Sequence, residues 1–135
     1  MAEIHWHFLQ GQIGDLAYTL KRVHFSNFAH MPRWRPAINA FRCRDGVTVC
    51  VDLAGVDKSQ IELQVEPRRL LIRGNRPGPE PDRVAHEPIQ VLAIEIDSGS
   101  FEREIVLPDE VEPKHASAEQ RNGFLWIHLP RRAQG

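Results

Sequence analysis

His5 and His7 flank Trp6, and seven histidines stand in the 135 residues. Side chains alternate between the two faces of a strand, so His5 and His7 would share one face and could reach one metal ion. A stable site needs a third or fourth ligand, and His24 and His30 follow with neither helical nor strand register to the first pair. The histidines therefore read as solvent-facing, and no metal or other cofactor is expected. Cys43 and Cys50 are too few for a disulfide framework and lack the paired spacing of a zinc site. Cys50 alternates away from Val49 and Val51, so both thiols read as buried or half-buried structural residues. Ser98-Gly99-Ser100 lacks the Gly-x-Ser-x-Gly context that exposes a nucleophile on a strained turn, and reads as a hairpin reversal. Glu95 and Asp97 fall two apart, as on the solvated face of a strand. With no glycine-rich phosphate loop, ATP hydrolysis is not expected. No constellation supports catalysis, so the chain is expected not to be an enzyme.

The elements that carry these residues follow from hydrophobic period. Val47, Val49, Val51 and Leu53 alternate with Thr48, Cys50 and Asp52, which is the pattern of a half-buried strand. Ile61, Leu63 and Val65 form a second run, Leu70 and Ile72 a third, and Leu92, Ile94 and Ile96 a fourth. Phe101, Ile105 and Leu107 supply a fifth, and Leu125, Ile127 and Leu129 a sixth. Many short strands without long helical runs between them predict an all-β, antiparallel β-sandwich. Between Gly74 and Ile89, Pro77, Pro79, Pro81 and Pro88 remove amide donors, which predicts an exposed, unusually long loop. Ahead of the strands, Ile13, Leu16, Leu20 and Val23 recur at three- and four-residue steps and predict a short amphipathic helix. This N-terminal arm, residues 1–34, holds Trp6, Phe8, Tyr18, Phe25, Phe28 and Trp34, six of the ten aromatics. It is sticky and too small to bury itself.

Composition sets the remaining bounds. Apolar residues at 41% and charged residues at 26% fit one globular domain with a core. Seventeen basic and 18 acidic side chains leave a net charge of −1, so no overall field exists to collect nucleic acid or anionic lipid. No run approaches the ~18 apolar residues of a membrane span. The first residues lack the basic region and apolar core of a secretory signal. A reduced, cytoplasmic chain is the expectation.

Three stretches carry a resemblance. VDLAGVDKSQIELQVEPRRLLIRGNR, residues 51 to 76, has Asp52, Leu53, Gly55, Ile61, Leu70, Ile72, Gly74 and Arg76 in place, with Ala54 where proline is usual. GSFEREIVLPDEV, residues 99 to 111, contributes Phe101, Arg103, Leu107 and Pro108. ASAEQRNGFLWIHLPRR, residues 116 to 132, contributes Ala118, Gly123, Leu125, Ile127 and Pro130. In this order and spacing, residues 35–130 resemble the α-crystallin domain of the small heat-shock proteins. The resemblance implies an immunoglobulin-like sandwich and an ATP-independent chaperone that holds unfolding client proteins and assembles with itself as a homodimer or larger oligomer.

The resemblance also implies sites. Trp6, Phe8, Ile13, Leu16, Leu20, Phe25 and Phe28 of the arm would meet clients or other copies. A groove would run between the strand of Ile61, Leu63 and Val65 and that of Ala116 and Ala118. A short strand in the long loop, at Arg83, Val84 and Ala85, would cross to a partner, with Arg103 at the dimer interface. Members of the family commonly bear a C-terminal Ile-x-Ile motif that docks in a neighbour's groove; residues 131–135, RRAQG, contain none, which implies an open groove and a small assembly. The alternative is an adaptor on the related CS-domain sandwich, binding one defined partner.

Overall fold

The computed structural model describes residues 4–7, 17–19, 31–82 and 87–133. Their strands are β1 (Ile4–His7), β2 (Ala17–Thr19), β3 (Ile38–Cys43), β4 (Gly46–Asp52) and β5 (Ile61–Glu66). β6 (Arg69–Arg76), β7 (Gly99–Val106), β8 (Ser117–Arg121) and β9 (Phe124–Pro130) complete them. They form two sheets, β2-β1-β5-β6-β7 and β3-β4-β9-β8, in which every neighbouring pair is antiparallel.

Period-two alternation does the sorting. Val47, Val49 and Val51 of β4 and Leu125, Ile127 and Leu129 of β9 turn one way and meet Ile61, Leu63, Val65, Leu70 and Ile72 of the facing sheet in one buried cluster. Phe101 completes it, and Trp34 packs on Phe101 with ring centroids 5.3 Å apart. Short turns hold the hairpins in register. At the β8–β9 reversal Asn122 and Gly123 both have positive φ, 53° and 81°, which matches the right-handed twist of the flanking strands. Asp57 accepts a hydrogen bond from the Ser59 amide at 3.1 Å and so caps the 3-10 turn Lys58–Gln60 that leads into β5.

Five of the six apolar runs become strands, and the sandwich stands as expected. The fourth run does not. Leu92, Ile94 and Ile96 lie in the connection between β6 and β7 and are 90%, 78% and 63% exposed. The reason is competition for one edge: β7 takes the whole length of β6, from Arg69↔Val106 to Arg76↔Gly99, and so occupies the edge that the fourth run, next in sequence after β6, would otherwise meet. Glu95 and Asp97 are accordingly loop residues, and the Arg76 guanidinium donates to the Asp97 carbonyl oxygen. Within the span expected to be helical, Ala17–Thr19 is a strand, while Ile13, Leu16, Leu20 and Val23 lie outside the described residues. Contacts of the sandwich begin before Arg35: the Arg33 amide donates to the Ser100 carbonyl and the Glu102 amide to the Trp34 carbonyl.

Candidate functional site

Polar side chains that could do chemistry are dispersed. Cys50 is buried and Cys43 half-buried, and neither is in a disulfide. Burial, reinforced by the charge of Asp52, pushes the Cys50 thiol up, so it stays protonated and weakly nucleophilic at neutral pH. Sequence reasoning missed a relay-like line on the outer face of the second sheet. Asp45 Oδ2 lies 3.3 Å from His128 Nε2, and His128 Nδ1 lies 3.3 Å from Thr48 Oγ1. Thr48 stands on β4, however, which is hydrogen-bonded on both sides, to β3 and β9. Its amides are engaged in ladders and leave no pair of free N–H groups for an oxyanion. Among the described residues no group of three or more His, Cys, Asp or Glu side chains could hold a metal ion. His5 and His7 stand on β1, and His24 and His30 lie outside the described residues.

The features that can act are sheet edges. β7 is an end strand, and residues 33 and 34 cover part of its outer side through the two hydrogen bonds above and a parallel bridge from Trp34 to Phe101. Arg103 follows Phe101 on the inward face, where its Nη1 reaches the Pro36 carbonyl at 3.5 Å and its Nε is buried with no hydrogen-bond partner. β3 ends the other sheet, and no described residue pairs with its outer side. Phe41 on β3 is 49% exposed. The connection between β6 and β7 carries Ile89, Val91, Leu92, Ile94 and Ile96, all more than half exposed. Within residues 91–96 five of the six side chains are apolar and exposed, Glu95 being the exception, and a loop of this apolar content has the composition of an unpaired strand.

Ile61, Leu63, Val65 and Ala118 are buried in the core cluster, and Ala116 packs against it. They mark two facing strands, β5 in one sheet and β8 at the end of the other. The outer side of β5, expected to be open, carries β1, with Ile4 opposite Val65 and Trp6 opposite Leu63. Of the arm residues singled out above, Trp6 lies on β1; Phe8, Ile13, Leu16, Leu20, Phe25 and Phe28 lie outside the described residues, as do Arg83, Val84 and Ala85.

Ion pairs brace the free β3 edge. Arg42 donates from Nε and Nη2 to both carboxylate oxygens of Asp109, at 2.9 and 2.8 Å, and Arg131 approaches the same carboxylate at 3.3 Å. The bidentate Arg42 fork, with Arg131 beside it, holds the Asp109 carboxyl below the usual carboxylate range. A lowered pKa in the folded state stabilises the fold above the ordinary carboxylate value and ceases to do so as the pH falls through the folded value. Arg42→Met is expected to move the Asp109 carboxyl upward toward the ordinary range, with Arg131 still beside it, read as an upward shift of its carboxyl NMR titration midpoint; an unmoved midpoint would mean that Arg42 does not hold it in solution.

No helix among the described residues is long and apolar enough to cross a membrane. Comparison with known proteins gives these edges their context. Residues 40–135 match the model of the Hsp20/alpha crystallin family. The 18 kDa antigen 1 of Mycobacterium avium is 33% identical over 99 residues, covering 71% of this chain and 63% of that protein. The matched region thus spans somewhat under two thirds of that relative's length. Two solved structures align over 76% of the chain: hspA from Xanthomonas axonopodis, at 33% identity, 98% coverage of that chain and a TM-score of 0.62, and heat shock protein 16.0 from Schizosaccharomyces pombe, at 26%, 93% and 0.64. With a two-sheet sandwich, the quoted sequence stretches in their strands and a family match across 40–135, the chain belongs to the Hsp20/alpha crystallin family of small heat shock proteins.

Proposed function

We propose that this chain is an ATP-independent holdase, working as a homodimer or larger oligomer, that binds partly unfolded proteins and keeps them from aggregating. The observation that carries the reading is the loop of residues 89–96, whose large apolar side chains are all more than half exposed on an otherwise well-packed sandwich. Contiguous apolar surface of this kind marks a site that meets other chains. Residues 91–96 match in number the six residues of β3, whose outer side is unpaired. We therefore place the exchange strand at 91–96 rather than around Arg83, Val84 and Ala85: each copy's loop would pair with the β3 edge of the other. That arrangement would shield Phe41 and bring backbone acceptors of a second copy toward the sandwich, where the buried Arg103 Nε lacks one.

Client contact would fall to apolar groups not consumed by the dimer: Trp6, Phe8, Ile13, Leu16, Leu20, Phe25 and Phe28 of the arm, and the strands of Ile61, Leu63, Val65, Ala116 and Ala118. Two thiols outside any disulfide suit a reducing compartment, so we place the protein in the cytoplasm. Light scattering from a heat-labile enzyme, with and without an equal molar amount of this protein and without nucleotide, tests the reading. Scattering is expected to be suppressed. No suppression across several unrelated clients would overturn the holdase and favour an adaptor with one defined partner.

A further inference from the structure

β5 would end its sheet if the first residues of the chain were elsewhere. Instead β1 pairs antiparallel along it for four residues, Ile4↔Val65, His5↔Gln64, Trp6↔Leu63 and His7↔Glu62. We propose that Ile4–His7 is a displaceable strap: it occupies the β5 edge of its own sandwich and must leave before that edge can accept an extended segment of another protein.

Three observations carry this. The segment reads Ile-His-Trp-His, and its two apolar residues take the register positions of Leu63 and Val65, both fully buried. It is therefore an extended segment whose apolar residues, two apart, stand opposite two core positions of β5. Its hold is weak by construction. β1 is four residues long, and its other neighbour, β2, is only three; a two-stranded ribbon of that size has no stability of its own and lasts only while β5 templates it. The fit is also incomplete, because Gln64, opposite His5, is 3% exposed and its Oε1 has no hydrogen-bond partner. A buried carbonyl left unpaired is a cost that a different occupant could remove.

Tethering makes up for the weak hold. Twenty-six residues separate His7 from Trp34, where the chain is anchored to Phe101. A tether of this order confers an effective concentration on the order of millimolar, so a strap with an intrinsic dissociation constant of about 10–100 μM would weaken any free competitor roughly 10- to 100-fold. The consequence that holding strengthens when the strap leaves rests on the holdase reading; the pairing itself does not.

The test uses the full chain and a fluorescein-labelled peptide of residues 2–10, AEIHWHFLQ. In the double variant I4D/W6D, peptide affinity is expected to rise at least tenfold over the unsubstituted chain, and amide exchange across Ile61–Glu66 to accelerate, while the melting temperature of the sandwich holds. Trp6→Pro, which removes one amide from β1 and leaves Ile4 in place, is expected to act in the same direction. Equal peptide affinity for variant and unsubstituted chain, including no binding to either, would overturn the strap. So would β5 protection that disappears on dilution, because the covering strand would then come from a second copy. Neither readout uses an aggregating client, so failure here is distinguishable from failure of the holdase reading.

Discussion

The double variant I94D/I96D is expected to turn the dimer into a folded monomer, with the dimer dissociation constant raised at least 100-fold. In the single chain both side chains already face water, at 78% and 63% exposure, so replacing them removes no contact from the core. Among the described residues nothing covers them, and in the exchange model their burial comes from a second copy. Fully burying a side chain of this size contributes about 1.5–3 kcal/mol, so the pair accounts for about 3–6 kcal/mol. Each 1.4 kcal/mol is tenfold in affinity, and the lower end already gives about 100-fold. Two carboxylates facing a second copy would add a desolvation cost on top. Sedimentation velocity across a dilution series reads the change, with Glu95→Gln as a control in the same segment. A dimer unaffected by I94D/I96D would overturn the exchange model and direct attention to β7.

The β7 alternative has a physical handicap. Residues 33 and 34 already hydrogen-bond along it at Ser100 and Glu102, so a second copy would have to displace them and separate Trp34 from Phe101. β3 presents no such obstacle, since its outer side pairs with no described residue.

The contrast explains what the sequence could and could not convey. Runs that alternate and end up buried, such as Val47 to Val51 and Leu125 to Leu129, were legible because period two and burial report the same face. Leu92, Ile94 and Ile96 alternate equally well, but alternation records only that one face needs a cover, not whether the cover belongs to the same chain. β3 was invisible for the opposite reason: its four central residues are exposed, so Ile38–Cys43 carries no hydrophobic period at all. Trp34 was assigned to the arm on its position, whereas its partner Phe101 lies 67 residues on, a distance that no local pattern spans. Similarly, Ile4 and Trp6 are separated by a single histidine, a spacing that fits a strand, yet only the topology identifies β5 as the edge they meet. The site residues drawn from the resemblance fared by type: Ile61, Leu63, Val65 and Ala118 are core positions fixed by their own alternation, whereas Arg103 has its Nε buried without a partner, which no pattern in the sequence signals.

Gly74→Ala is expected to lower the melting temperature by roughly 15 °C, far more than the same change at Gly55. Gly74 sits on β6 between Ile61 of β5 and Phe101 of β7. A Cβ there would stand 2.2 Å from the Gln60 carbonyl oxygen and 2.3 Å from the Phe101 ring. Neither neighbour can give way cheaply. Gln60 ends the 3-10 turn Lys58–Gln60 and leads directly into β5, so its carbonyl is backbone held between the two, and Phe101 is 2% exposed and packed on Trp34. Overpacking of this kind costs about 1–3 kcal/mol and occasionally more; at about 3 kcal/mol and roughly 5 °C per kcal/mol for a domain of this size, the expected drop follows. Gly55 isolates the other contribution. Its φ is +78°, so alanine would be strained there, but nothing lies within 4 Å of its Cβ position, and the cost should be about 1 kcal/mol. Melting curves of the two variants side by side separate crowding from backbone strain. If G74A melted within about 3 °C of G55A, by the same conversion, the centre of the first sheet would have to yield by more than an ångström, and the close approach of β6, Phe101 and Trp34 would not be what holds the sandwich edge in place.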